Sequence, residues 1–139
     1  MTPAITSCAI SRADLALLIG HAADEHPREA CGLLLGTPGV IARIERTRNV
    51  AADPLRTFEI DPAALLRVHR GARGAGLKVI GWYHSHPSGS AEPSRTDAAR
   101  AVEDGMLWLV VAGGAAAAWR TVPGGPVQGR FAPVALEPR

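Results

Sequence analysis

Two histidines and one aspartate have the residue types and the spacing of a metal site. His84 and His86 end the apolar, β-compatible run 77–83, and Pro87 cannot continue a central strand. Residues two apart on a strand share a face, so both imidazoles are expected to project the same way. Asp97, on the next predicted helix, is the candidate third ligand. Two imidazoles and one carboxylate, with a position left for water, match the ligand count of a catalytic zinc site.

The same residues also have structural interpretations. A histidine near a strand end is usually a partly buried, hydrogen-bonded side chain. Ser94-x-x-Asp97 precedes an alanine-rich amphipathic run, which predicts a capping box with Ser94 as N-cap and Asp97 near the positive end of the helix dipole. Such a box is compatible with metal binding. Structural roles alone do not explain why all these residues fall within fourteen positions, from His84 to Asp97, on one strand-loop-helix corner.

Glu29 is the candidate general acid/base. Hydrolysis at a zinc site needs a group that takes a proton from water and later returns one to a leaving amine. Glu29 stands at the entrance of an apolar run, where desolvation would raise its pKa toward the working range. The alternative is an exposed carboxylate paired with Arg28. The residues alone leave both interpretations open.

Length and composition predict one domain, residues 1–139, with a sizeable core. Apolar residues make up 47% of the chain, and 15 basic against 13 acidic residues give a formal charge of +2. Nothing in this balance resembles a nucleic-acid footprint. Arg43, Arg46 and Arg48 are interpreted as a solvated strand face that could also meet an acidic partner.

The sequence favours a cytoplasmic location. It has no signal-peptide pattern and no uncharged apolar run of membrane-spanning length, because two glycines interrupt the longest candidate, residues 106–119. Cys8 and Cys31 are too few for a disulfide framework, so buried free thiols are expected. A redox or structural role for these two cysteines is a further alternative.

The elements that must position these residues are strands interspersed with helices. Ser11 is an N-cap candidate for a first helix that ends by His26, because a proline follows. Asp61 begins a second helix that ends near residue 73, and a third is predicted at 95–104. Strands are predicted at residues 4–10, 29–36, 40–50, 77–86, 106–112, 115–122 and 127–136.

Three further expectations concern how the strands are arranged. Turn chemistry at residues 37–39 predicts an antiparallel hairpin between strands 29–36 and 40–50. Neither face of 40–50 is cleanly apolar, which predicts a strand at a sheet edge. The tail 137–139 is expected to fray.

The combined pattern resembles the JAMM (MPN-plus) zinc metalloprotease family. That motif is a Glu far upstream, then His-Ser/Thr-His, seven residues, Ser, two residues and Asp. Here Glu29 stands ahead, His84-Ser85-His86 is followed by seven residues, and Ser94 and Asp97 complete the pattern. The flanking segments 29–34 and 81–87 are also of the family's type, and the order of elements fits nearly the whole chain.

This resemblance implies an α/β fold with a mixed, curved β-sheet flanked by helices, related in architecture to cytidine deaminases. It also implies one zinc ion per chain, held by His84, His86 and Asp97. In the same way it implies that Glu29 is the general acid/base and that Ser94 donates its hydroxyl to the tetrahedral oxyanion.

The resemblance further implies a zinc metallopeptidase that cuts peptide or isopeptide bonds at the C-terminus of ubiquitin-like proteins. Short loops make the chain similar to the compact, stand-alone prokaryotic members, which are associated with ubiquitin-like or sulfur-carrier proteins ending in Gly-Gly. A β-grasp protein with such an end is therefore the expected partner. Trimming, release of a conjugated amino acid and deconjugation of a target all remain open.

Two other classes compete with this interpretation. A non-catalytic MPN interaction module would have lost the ligand set, whereas all of it is present here. A zinc nucleoside deaminase needs His-x-Glu and a Pro-Cys-x-x-Cys pair, and neither occurs.

Overall fold

A closed seven-stranded β-barrel and three helices make up the part of the chain that the computed structural model describes, residues 4–139. The helices are α1 (Arg12–Glu25), α2 (Pro62–Gly74) and α3 (Arg95–Arg100). The strands are β1 (Ser7–Ile10), β2 (Cys31–Thr37), β3 (Val40–Thr47), β4 (Lys78–Ser85), β5 (Leu107–Ala112), β6 (Ala115–Gly125) and β7 (Gly129–Pro138).

The sheet is mixed, as predicted. Its order is β1-β3-β2-β4-β5-β6-β7, and β7 closes the barrel against β1. The β1–β3, β1–β7 and β4–β5 pairs are parallel, and the other four are antiparallel, including the predicted β2–β3 hairpin. The expected curvature is therefore strong enough to join the two ends of the sheet.

The two faces of the sheet pack against different helices. Leu34 of β2 and Tyr83 of β4 point toward α1 and form one buried cluster with Leu18. Trp82 lies on the opposite face, because successive strand residues alternate, and packs beneath α2 and α3. His84 shares the face of Trp82. The strand period thus decides that this imidazole meets α3 rather than α1.

The predicted starts of the first two helices are confirmed. The Ser11 side chain accepts a hydrogen bond from the Asp14 N–H (3.0 Å), and α1 ends at Glu25. The Asp61 carboxylate accepts one from the Ala63 N–H (3.1 Å), with a proline in the first helical turn. In each case a short polar side chain satisfies an amide that has no partner within the helix.

The third helix is shorter than predicted, since it ends at Arg100 rather than at residue 104. The Ala101 carbonyl accepts a hydrogen bond from Arg130 Nε (2.7 Å), and the Gly105 N–H donates to the carbonyl of Thr121 (2.8 Å). In a longer helix these two groups would bond to each other. Contacts with distant strands therefore replace the last predicted turn.

The tail is ordered by pairing, so the prediction that residues 137–139 fray is wrong. Glu137 and Pro138 pair with β1 residues, and the Arg139 N–H donates to the Ile10 carbonyl (2.8 Å). The Arg12 N–H returns a bond to the Arg139 carbonyl (2.9 Å). Because β1 leaves one edge open to β7, the last residues have backbone partners that no local pattern indicates.

The prediction of an edge strand is wrong for the start of β3, where Val40 and Ile41 pair with β1. Beyond Ile41, β2 is the only named strand paired with β3 in the described residues. Arg46 in this stretch contacts α1 through the Asp24 carboxylate (3.4 Å) and the Leu17 carbonyl (3.2 Å). The helix therefore covers part of the edge that β1 leaves free.

The remaining differences between predicted and observed element boundaries are small. The first strand begins at Ser7, and β6 continues to Gly125. Cys8 and Cys31 are both free and buried, as predicted. Across residues 4–139, no helix is both long and apolar enough to span a membrane.

Gly81 allows β4 and β5 to approach each other closely. A Cβ built at Gly81 would lie 1.8 Å from the Leu107 carbonyl oxygen. We expect Gly81→Ala to lower the free energy of unfolding by about 1 to 3 kcal/mol, because the β4 and β5 backbones must move apart. Urea denaturation measures this change.

Gly71→Ala is the matched control. Gly71 lies in α2 with no atom within 4 Å of an added Cβ. The Gly71→Ala substitution should raise the free energy of unfolding by roughly 0.5 to 1 kcal/mol, since alanine is more stable than glycine within a helix. Equal effects of the two alanines would contradict the close-packing explanation of Gly81.

Candidate metal centre and active site

The β-ladder fixes the positions of both histidines. His84 pairs with Cys31 of β2 on one side and with Val110 of β5 on the other. The His86 N–H donates to the Val111 carbonyl (2.8 Å), so pairing continues one residue past β4. The two imidazoles stand at the C-terminal end of the strand, as predicted, and their directions are set from both sides.

Asp97 reaches the histidines from the first turn of α3. The Ser94 hydroxyl accepts a hydrogen bond from the Asp97 N–H (3.0 Å), and the Ser94 N–H donates to Asp97 Oδ2 (2.9 Å). Both halves of the predicted capping box are therefore present. The box also holds the carboxylate in place, because the oxygen that accepts from Ser94 is the one that faces the histidines.

Three potential ligand atoms converge at this corner. His84 Nε2 and His86 Nε2 are 3.0 Å apart, and each lies 3.1 Å from Asp97 Oδ2. His84, His86 and Asp97 form the one group of three or more His, Cys, Asp or Glu residues suited to a metal ion within residues 4–139. The structure thus brings together the three residues that the sequence suggested as ligands.

The hydrogen bonds of His86 support a cation at this point. Its Nδ1 lies 2.8 Å from the Ser90 carbonyl, which can only accept, so Nδ1 carries a proton. In the neutral ring, Nε2 then presents a lone pair to Asp97 Oδ2, which is also an acceptor. A metal ion between these atoms would be bound by both lone pairs. The donor set therefore fits a divalent ion of the nitrogen- and oxygen-binding type.

The charge states of Asp97 and His84 also suit a metal. Burial raises the pKa of Asp97, but its contacts with His84 and His86 outweigh burial and hold this pKa well below its usual range. Burial lowers the pKa of His84, which favours the neutral imidazole. An ionised carboxylate beside a neutral ring is the protonation state in which these side chains bind metal.

Aromatic side chains enclose the inner histidine. His84 is completely buried, and the Phe58 ring stacks on it with centroids 4.4 Å apart and planes 20° from parallel. Trp108 contacts the same imidazole edge-on, at 5.6 Å. In the described part of the chain, His84 Nδ1 is buried without a hydrogen-bond partner. Packing therefore fixes the orientation of His84, whereas a hydrogen bond fixes that of His86.

Glu29 lies beside the histidines despite its distance along the chain. It precedes β2 and is only 6% exposed. The adjacent Ala30 exchanges two hydrogen bonds with Ser85, its N–H to Oγ (2.8 Å) and its carbonyl from N–H (3.0 Å), which continues the β2–β4 register toward His86. The structural alternative, pairing with Arg28, is absent among residues 4–139, because Arg28 pairs with Glu25 (3.0 Å).

Burial raises the pKa of Glu29 to about 7, with opposing smaller effects from His86 and Asp97. A pocket of about 270 Å³ is lined by Glu29, His86 and Ser94, together with the exposed Leu55. A carboxyl group that titrates near neutrality can accept and return a proton. The structure brings Glu29 and Ser94 to one cleft with His86.

Two neighbours of the site were not found from the sequence. Phe58 lies between the predicted strand 40–50 and the second predicted helix, and Asn49 lies at the end of that strand. Neither belongs to the motif. An aromatic residue within the loop segment 51–59 was the one available signal for Phe58.

Comparison with known proteins agrees with this geometry. The family model described as "Prokaryotic homologs of the JAB domain" matches residues 11–122. A desampylase of Haloferax volcanii is 35% identical over 91 residues, which are 64% of this chain and 66% of that protein. A CysO-cysteine peptidase of Mycobacterium tuberculosis is 35% identical over 104 residues, 73% of this chain and 71% of that protein.

Solved structures share the fold. A protein from Desulfitobacterium hafniense superposes with a TM-score of 0.81 at 21% identity, covering 95% of this chain and 92% of that one. A JAB1/MPN domain protein from Archaeoglobus fulgidus gives 0.60 at 22% identity, covering 94% and 98%. The resemblance to the JAMM (MPN-plus) family is confirmed, and the chain belongs to the prokaryotic homologs of the JAB domain.

Proposed function

We propose that this protein is a zinc-dependent peptidase that hydrolyses a peptide or isopeptide bond at the C-terminus of a ubiquitin-like or sulfur-carrier protein. The observation that carries the proposal is the convergence of two imidazoles and a carboxylate beside a cleft that also contains a buried glutamate. Relatives named as a desampylase and a CysO-cysteine peptidase support it. In this proposal residues 1–139 form one catalytic domain.

His84, His86 and Asp97 would hold one zinc ion per chain. When bound, zinc supplies a Lewis acid and lowers the pKa of a coordinated water to about 7. The protein's own contribution is to orient the three ligands, through the strand pairing of β4, the Ser90 carbonyl and the capping box at Ser94. Such outer contacts determine ligand direction and basicity.

Glu29 acts as the general acid/base in this mechanism. As a carboxylate it takes a proton from the attacking water, and as a carboxylic acid it returns the proton to the leaving amine. Burial keeps the two forms close in free energy near neutral pH, since it raises the pKa of Glu29 to about 7. No cation pairs with the Glu29 side chain in the described residues, so the carboxyl group stays free for this exchange.

Ser94 donates a hydrogen bond to the oxyanion that forms at the attacked carbonyl. Its Oγ accepts from the Asp97 N–H, which uses an oxygen lone pair and leaves the hydroxyl proton available. Capping and oxyanion stabilisation are therefore compatible in one side chain. A donor of this kind contributes because it is already oriented before the reaction begins.

A diglycine terminus is the proposed substrate feature. Glycine lets a substrate backbone approach a catalytic centre closely, because it has no Cβ. In a β-grasp protein ending in Gly-Gly and extended by a short peptide, we expect replacement of the last glycine by valine to abolish cleavage, as followed by mass spectrometry. Binding of the β-grasp body should remain.

The control for this substrate is a valine placed two residues after the cleaved bond, which should be cut at nearly the normal rate. Equal cleavage of the two valine substrates would contradict a requirement for glycine. Absence of any cleavage by the zinc-loaded protein would favour the second candidate, a non-catalytic MPN interaction module. The complete ligand set argues against that module.

A cytoplasmic location is part of the proposal. Cys8 and Cys31 are buried free thiols. Thiols persist in compartments that are kept reducing.

A further inference from the structure

We propose that Asn49 is a positioning residue that sets the location of Glu29 and of the Phe58 ring, which stacks on His84. The inference rests on the proposed function, because it assigns Asn49 a part in placing the general acid/base. It concerns a residue outside the metal-binding motif. Its evidence is the set of hydrogen bonds that one side-chain amide makes to five backbone groups.

The Asn49 amide uses its full hydrogen-bonding capacity. Its Nδ2 group donates to the carbonyls of Glu29 (2.9 Å) and Thr57 (3.0 Å), with a longer contact to the Pro54 carbonyl (3.5 Å). Its Oδ1 accepts from the N–H groups of Ala51 (3.0 Å) and Glu59 (3.1 Å). Two donors and two lone pairs are the most that an asparagine amide offers.

Glu29 depends on this segment for its backbone partners. It lies two residues before β2, and its N–H donates to the Pro54 carbonyl (2.8 Å) while its carbonyl accepts from Asn49. Both main-chain polar groups of Glu29 are thus held by residues 49–54. Loss of the Asn49 donor would leave the Glu29 carbonyl without this partner, and the backbone that carries the carboxylate would shift.

The same amide also fixes the backbone on both sides of Phe58. Asn49 binds Thr57 and Glu59, the two neighbours of Phe58. Phe58 stacks on His84, and its carbonyl accepts from Arg100 Nη1 (2.7 Å). Asn49 therefore joins two parts of the site that are about thirty residues apart in the chain, the carboxylate and the aromatic ring.

Asn49→Asp is the informative variant. Aspartate keeps the size and the acceptor for Ala51 and Glu59, but it removes both donors and sets a carboxylate oxygen against two carbonyls. We expect kcat to fall by about 10²-fold, since a catalytic group displaced by near 1 Å costs that much. KM should stay within about threefold, because ground-state binding is retained.

Two readouts separate positioning from simple stabilisation. Zinc affinity, from chelator competition, should change by less than about tenfold, because a direct partner of a ligand would cost 10- to 100-fold. A crystal structure of zinc-loaded Asn49→Asp should show the Glu29 carboxylate displaced. Thr121→Val is the matched control, because Thr121 is buried and its hydroxyl bonds to the Glu103 carbonyl (2.6 Å) and the Met106 N–H (2.9 Å).

Thr121→Val should lower the melting temperature and leave kcat within about twofold at a temperature where the protein is folded, since stability and catalysis are then separate. The inference is overturned if Asn49→Asp behaves like Thr121→Val, or if Glu29 is unmoved in the variant structure. If the wild-type protein cleaves no substrate, the proposed function fails. In that case, the position of Glu29 in the Asn49→Asp crystal structure is the measurement that tests the role of Asn49.

Discussion

Glu29→Gln is expected to lose most turnover and to keep its zinc and its fold, because Glu29 is the proposed general acid/base. The amide is nearly isosteric with the carboxyl group, but it cannot take a proton from water or return one to the leaving amine. Loss of such a group costs on the order of 10²- to 10⁴-fold in rate. Because substrate contacts remain, the variant should also trap a complex. Single-turnover cleavage and metal analysis on the same sample measure both effects.

Glu25→Gln is the control for this prediction. Glu25 is a nearby glutamate whose carboxylate pairs with Arg28 near the surface, at 3.0 Å. Its substitution should change stability by roughly 0 to 1 kcal/mol and leave the rate unaltered. A rate close to wild type in Glu29→Gln, with zinc still bound, would remove Glu29 from the mechanism.

Loss of metal and of activity together is expected for His84→Ala. The variant removes one of three converging ligand atoms and leaves two, which cannot complete the three-ligand set of a catalytic zinc site. Zinc content should fall from about one equivalent per chain to a small fraction of that. Turnover should fall to the background rate. Metal analysis after gel filtration measures the first quantity.

His69→Ala serves as the control, since His69 is an exposed histidine of α2. It should keep its zinc. A chelator applied to the wild-type protein should remove activity but not the circular dichroism of the folded state, because strand and helix contacts form the site without the metal. A full equivalent of zinc in folded His84→Ala would show that the ligand assignment is wrong.

The sequence predicted the fold class and which side chains come together at the candidate site, but not every element boundary. Ligand types and strand period place His84 and His86 on one face, and the capping box places Asp97, because these relations span few residues. Glu29 needed the family resemblance, since pairing between β2 and β4 alone brings it near His86. At the end next to the site, that pairing joins residues more than fifty positions apart.

The errors had a common physical origin. The third helix was predicted too long and the tail 137–139 too loose because hydrogen bonds from distant strands decide both. Asn49 was missed for the same reason: its amide binds the backbone groups of two separate segments. Local periodicity reports which face of an element is apolar, and it carries no information about which remote carbonyl will need a donor.

Closure of the barrel has a consequence for how the chain reaches its native state. The pairing of Ser7 with Ala135 joins β1 to β7, so this seam cannot form until β7 has left the ribosome. Before then, β1 and β6 expose unpaired edges that can recruit other chains. Contacts this far apart in sequence form slowly. Co-translational folding should therefore leave an open intermediate, and the yield of active protein should depend on how quickly β7 finds β1.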